Sequence, residues 1–163
     1  MFEKTATRLW KQLSREDRLA AAQYFWHEPH AEVMGAALAS IAKARHLRPQ
    51  VARSLSEEDK ARATSVLLEP GETVAASLLV ALHLGQRRPM LGTFLDAVGL
   101  PHENGLLKDA GDDVTITESA AEAGVQRLRA AHPEEHVRLY LNTLWLQDPE
   151  RWRMLERLAE SPG

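Results

Sequence analysis

Leu13-Ser14-Arg15-Glu16-Asp17-Arg18 returns further along the chain as Leu55-Ser56-Glu57-Glu58-Asp59-Lys60. In both copies a serine stands just ahead of a pair of acids. That is the pattern of a helix N-cap followed by carboxylates that oppose the helix dipole. Each copy opens a stretch that ends in Glu-Pro, at Glu28-Pro29 and at Glu69-Pro70. A longer apolar stretch then closes on Arg-Pro, at Arg48-Pro49 and at Arg88-Pro89. A period of about 40 residues marks stacked helical units, none of which buries its apolar face alone.

The second helix of each unit aligns best. Val33, Ala37 and Ile41 recur as Val74, Leu78 and Leu82, and again as Val137, Leu141 and Trp145. The i, i+4, i+8 spacing sets each trio on one helical face and predicts a shared buried core. Pro49, Pro89 and Pro149 then break the helices, and a short third helix follows each break. Asp148-Pro149-Glu150 reads as a helix start with proline at N1. Ahead of the repeats, Phe2, Ala6, Leu9, Trp10 and Leu13 form one apolar stripe of an N-terminal amphipathic helix.

The expectation is an all-α chain: one N-terminal helix and a right-handed stack of three long–long–short units. These run over residues 14–55, 56–98 and 116–160 of a single domain, interrupted by an insertion at 99–115. In the insertion, Gly99, Pro101 and Asn104-Gly105 signal turns rather than helix. Residues 113–116 have the composition of a short extended piece, and Thr115 with Glu118 fits a capping box that opens the third unit. The tail 160–163 is expected to fray. The plan resembles the general class of α-helical repeats that includes armadillo and HEAT arrays, without a family-specific consensus. That class makes extended binding surfaces more often than catalytic pockets.

Composition narrows the function. A net charge of −3 and a pI near 6.2 give no global field for nucleic acid or anionic membrane. The absence of cysteine removes disulfides, thiolate nucleophiles and Cys-ligated metals. Met1-Phe2-Glu3-Lys4-Thr5 lacks a signal-peptide core, and the longest apolar run, 74–84, is too short to span a bilayer. A cytoplasmic location and no membrane partner are the expectation.

Motifs of site chemistry are few. In His27-Glu28-Pro29-His30 the proline breaks the helix that would aim the ligands together. In His132-Pro133-Glu134-Glu135-His136 the proline follows the first histidine, which puts His132 outside the helix, so no metal is expected at either. The paired acids Glu57-Glu58-Asp59, Asp112-Asp113 and Glu134-Glu135 sit at helix starts or in a loop, where capping explains them. No nucleophile elbow, phosphate loop or dinucleotide fingerprint occurs, and no catalytic residue or cofactor is expected.

Two features remain. Basic residues recur at equivalent corners, Lys43, Arg45, His46 and Arg48 in one unit, Arg87 and Arg88 in the next. The insertion adds His102, Glu103 and Asn104. Arginines at helix ends also cap carbonyls, and an insertion also serves as a connector, so each feature has a purely structural reading. The apolar C-terminal run around Trp145 and Trp152 is a further docking or self-association candidate.

The resulting expectation is a non-enzymatic protein-interaction or scaffold module. It would bind a protein partner or itself through Arg45, Arg48, Arg87, Arg88, His102, Glu103 and Asn104. The alternative is a binder of nucleic acid or an anionic ligand through the same basic edge. An enzyme with a groove site near His102, His83 and Glu103 is the third reading.

Overall fold

The computed structural model describes residues 1–28, 31–108 and 114–161. Among them the chain forms ten helices and one two-stranded hairpin, and no helix is long and apolar enough to cross a membrane. The contacts divide it into two compact units, Lys4–Gln86 and a second that joins Met1–Glu3 to Arg87–Gly163. The division falls inside the second of the three sequence-defined units.

The Lys4–Gln86 unit holds α1 (Ala6–Gln12), α2 (Arg15–His27), α3 (Ala31–Arg45), α4 (Pro49–Arg53), α5 (Glu57–Ser65) and α6 (Glu72–Gln86). The repeated serines explain the repeat: Ser14 and Ser56 each accept the backbone N–H three residues on, from Asp17 and Asp59, at 3.1 Å. Donors that no helix would otherwise satisfy are thereby paired. The next basic residue of each copy does different work. Arg18 donates to Ser65 O at 3.0 Å and Leu13 O at 2.7 Å, closing the C-terminal ends of α5 and α1. Lys60 lies 5.5 Å from the Trp26 ring.

Helix α1 begins later than the apolar spacing predicts. Thr5 is its N-cap, accepting from Arg8 N–H at 3.2 Å, and the Glu72 carboxylate of α6 takes the N–H groups of Ala6 and Thr7. All three leading donors are satisfied at that point, so Phe2 lies outside the helix. The buried centre of this unit is Trp10, Phe25, Ile41, Leu78, Leu79 and Leu82. Helix α2 packs mainly on α5 and α6, and α6 packs also on α1 and α3. Buried Trp26 donates to Thr64 Oγ1 at 2.9 Å, and that hydroxyl donates to Lys60 O at 2.7 Å, so neither polar group is stranded.

The second unit holds α7 (Arg88–Val98), β1 (His102–Glu103), β2 (Leu106–Leu107), α8 (Glu118–Ala131), α9 (Glu134–Gln147) and α10 (Leu155–Glu160). With eleven residues, α7 is not the short third helix that the repeat predicts. Phe94 is fully buried with Tyr140 and Trp152, both ring centroids 5.8 Å away. A Cβ at Gly124 of α8 would come within 2.9 Å of the Phe94 ring, which shows how closely α8 approaches α7. Burial pushes the Tyr140 phenol above its ordinary value. The chain start is tied to this unit: Asn142 exchanges two hydrogen bonds with the Glu3 backbone, at 2.8 and 3.0 Å, and Phe2 packs against Trp145.

Three further expectations shift. Thr117, not Thr115, caps α8, because its hydroxyl reaches Ala120 N–H at 3.1 Å. Residues 149–154 form turns, and α10 starts only at Leu155. Asp148 still caps one turn, accepting Arg151 N–H at 3.1 Å, but Trp152 is drawn into the core and the helix does not continue. The extended piece of the insertion is the hairpin at 102–107 rather than 113–116, where residues 114–117 are irregular and Asp113 lies outside the described residues. Of the predicted buried face, Ala37, Ile41, Val74, Leu78, Leu82, Val137 and Leu141 are buried, whereas Val33 and Trp145 are half-buried.

Candidate functional site

The α3–α4 corner is built by a backbone cap. His46 takes the left-handed conformation, φ 53°, and Leu47 N–H reaches back to Ala42 O at 2.9 Å. This is the Schellman closure, in which backbone donors satisfy the last carbonyls. At the end of α7 the same closure is made by Gly99, φ 77°, with Leu100 N–H on Leu95 O at 2.9 Å. Arg48 is then the N-cap of α4 and Pro49 its first residue, where no N–H is needed.

Because the backbone caps itself, the cations are not consumed as caps. Lys43, Arg45, His46, Arg48 and Arg53 are all exposed. None makes a side-chain hydrogen bond or ion pair among the described residues, and no acid occurs between Glu32 and Glu57. Lys43 and Arg45 stand in the last turn of α3 and Arg53 in the last turn of α4, positions that suit the helix dipole, a contribution of about 0.3–1 kcal/mol that needs no fixed partner. A histidine in the left-handed region is strained where glycine would not be. His46→Gly is therefore expected to raise stability by about 0.5–1 kcal/mol in urea denaturation. A loss of stability would show that the imidazole has a structural partner.

The second basic corner is different. Arg88 Nη1 donates to Asn104 O at 2.8 Å, and Arg87 is half-buried at the N-cap of α7. The hairpin turns through Asn104 and Gly105, φ 49° and 88°, which matches the two-residue primed turn that Asn-Gly favours. Gly105 N–H donates to His102 Nδ1 at 3.0 Å. The ring proton therefore sits on Nε2, which donates to Asp96 Oδ1 at 2.7 Å. Gly105 is close-packed, since a Cβ there would lie 3.0 Å from Leu91 Cβ.

Arg88, Leu91, Gly92 and Asp96 thus present one face of α7 on which the hairpin is docked. Arg88, His102 and the Asn104 carbonyl work as its clamp, while the Glu103 and Asn104 side chains stay exposed. Leu106 and Leu107 of β2 are exposed as well.

His83 falls in one unit, and His102 and Glu103 fall in the other. His83 belongs to Lys4–Gln86, is buried, and donates from Nδ1 to Leu79 O at 2.8 Å. His27 meets Glu57 at 3.1 Å, whereas Pro29, His30 and Asp112-Asp113 lie outside the described residues. His132 closes α8 and Pro133 is the N-cap of α9, so His132 stands outside that helix. No group of three metal-binding side chains converges among the described residues.

Sequence reasoning missed one concavity, an open cavity of about 700 Å³ lined by Val114, Asp148, Glu150, Arg151 and Arg153. Arg151 spans it to Val114 O at 3.4 Å and covers the Trp152 ring. Its lining mixes both signs of charge around one apolar residue and converges on no reactive group. The apolar C-terminal run is spent inside its own unit: Trp152 and Leu155 are buried and Trp145 packs on Phe2. Neither a protein family, nor a curated protein, nor a solved structure matches this chain.

Proposed function

We propose that this chain is a non-enzymatic helical-repeat interaction module that engages a protein partner through the cations of its α3–α4 corner. The repeat reading is supported by order: a helix with a hydroxyl N-cap at Ser14, Ser56 and Thr117, then a second helix of 15, 15 and 14 residues, then a third. The observation that carries the binding reading is the difference between the two basic corners. Arg88 is bonded into the hairpin clamp, whereas Arg45 and Arg48 are exposed with no ion pair among the described residues.

The two arginine sites should therefore respond differently. Arg45→Glu combined with Arg48→Glu is expected to leave the melting temperature nearly unchanged, since exposed substitutions fall within about ±0.5 kcal/mol. The same variant should lose cross-linked partner capture from native lysate. Arg88→Glu should instead lower the melting temperature by loosening the hairpin. Capture that survives the double charge reversal would move the site away from α3–α4. Nucleic acid recovered in place of protein would favour the anionic-ligand reading of the same corner.

A further inference from the structure

We infer that the α3–α4 corner recognises a short acidic protein segment that carries an aliphatic residue, an inference that rests on the reading of the chain as a protein-interaction module. Four basic side chains, Lys43, Arg45, Arg48 and Arg53, fall within eleven residues of a chain whose net charge is −3, so the positive potential is local. Three of the four are arginines, whose planar forks match carboxylates two bonds at a time. Val51 stands among them 46% exposed, on a helix that packs against α3. Charge steers and orients a partner, and the covered apolar side chain slows its departure.

Nucleic acid fits this surface less well. Phosphate binding draws its strength from many cations along a track, commonly six to ten contacts, and single strands stack on aromatic rings. The segment 31–57 contains no Phe, Tyr or Trp. The exposed valine would meet a sugar–phosphate backbone with no apolar complement. An acidic peptide offers carboxylates at the spacing of side chains and an aliphatic group between them.

His46 supplies a second, independent observation. Its left-handed backbone is a position where glycine is favoured, and the glycine at the matching place after α7 shows the same closure made without strain. Strain held at an exposed residue between two exposed arginines points to a use for the side chain. In a bound complex the imidazole would sit beside Arg45 and Arg48 and add a hydrogen bond to a partner carboxylate or carbonyl.

Fluorescence anisotropy on the full chain tests this with three labelled probes: a twelve-residue peptide of alternating aspartate and glutamate with a central leucine, the same peptide with serine for leucine, and a single-stranded oligonucleotide of equal charge. The leucine peptide should bind tightest, about threefold better than its serine counterpart, the worth of a half-buried aliphatic group. Val51→Ser should abolish that preference and leave the serine peptide unaffected. Arg45→Glu with Arg48→Glu should weaken both peptides by about tenfold or more, and added salt should weaken them too. His46→Gly should cost about threefold in affinity while stabilising the fold, the trade expected of a strained functional residue. An oligonucleotide that binds more tightly than either peptide overturns the inference, as does a leucine preference that survives Val51→Ser. Absence of peptide binding overturns it as well. If Arg45→Glu with Arg48→Glu still loses capture of the native partner in that case, the interaction reading stands and only the acidic–aliphatic chemistry falls.

Discussion

Phe94→Ala should cost the Arg87–Gly163 unit about 3–5 kcal/mol, the range for truncating a large aromatic side chain in a packed core. Phe94 has no exposed surface, and its ring is edge-on to Tyr140 and tilted against Trp152. Its far side lies against the glycine flank of α8, where Gly124 allows a closer approach than any other residue would. The cavity left by truncation is thus walled by two rings and a helix backbone, none of which collapses easily. Chemical denaturation followed through tryptophan fluorescence measures the loss. Phe94→Leu, which keeps most of the volume, should cost only about 1–1.5 kcal/mol. A loss below about 1 kcal/mol for the alanine variant would mean that the aromatic cluster is not the keystone of this unit.

Features written in local sequence were legible, and features that depend on partners distant in the chain were not. The Ser14 and Ser56 caps could be read because a cap acts over three residues, and so could the buried faces of the second helices, where i, i+4, i+8 spacing holds one side of a helix. The start of α1 was missed because the Glu72 carboxylate, sixty-odd residues on, completes its cap. Spacing alone placed Phe2 on that helix, yet Phe2 packs on Trp145. The late start of α10 has the same origin: Asp148-Pro149-Glu150 is a sound N-terminus locally, and burial of Trp152 overrides it.

The candidate site divides along the same line. Arg48 and Arg88 look equivalent in sequence, each directly ahead of a proline. Arg88 has the Asn104 carbonyl within reach because a hairpin follows α7, and after α4 no such element exists for Arg48 to hold. Asn104-Gly105 was a sufficient signal for the turn. Two-residue strands carry no alternation, so the hairpin itself was invisible. The tie from His102 to Asp96 pairs residues that a sequence scan files separately, one in the insertion and one in a helix.

The second large effect is expected at Trp10, which joins α1 to the rest of the Lys4–Gln86 unit. Its side chain is fully buried, and its Nε1–H donates to Leu67 O at 2.6 Å, in the connector between α5 and α6. Helix α1 has only seven residues, too few to persist without tertiary contacts. Trp10→Ala removes the group that anchors it and strands the Leu67 carbonyl, so a loss of about 3–5 kcal/mol is expected. Trp10→Phe separates the two contributions, keeping most of the apolar contact while losing the donor, and should cost about 1–3 kcal/mol. Amide exchange distinguishes local from global failure: in the alanine variant the α1 amides should lose protection first, with the Ala6 and Thr7 amides released from Glu72. Retained protection of α1 in Trp10→Ala would assign the anchoring of this helix to Glu72 and Thr5 instead.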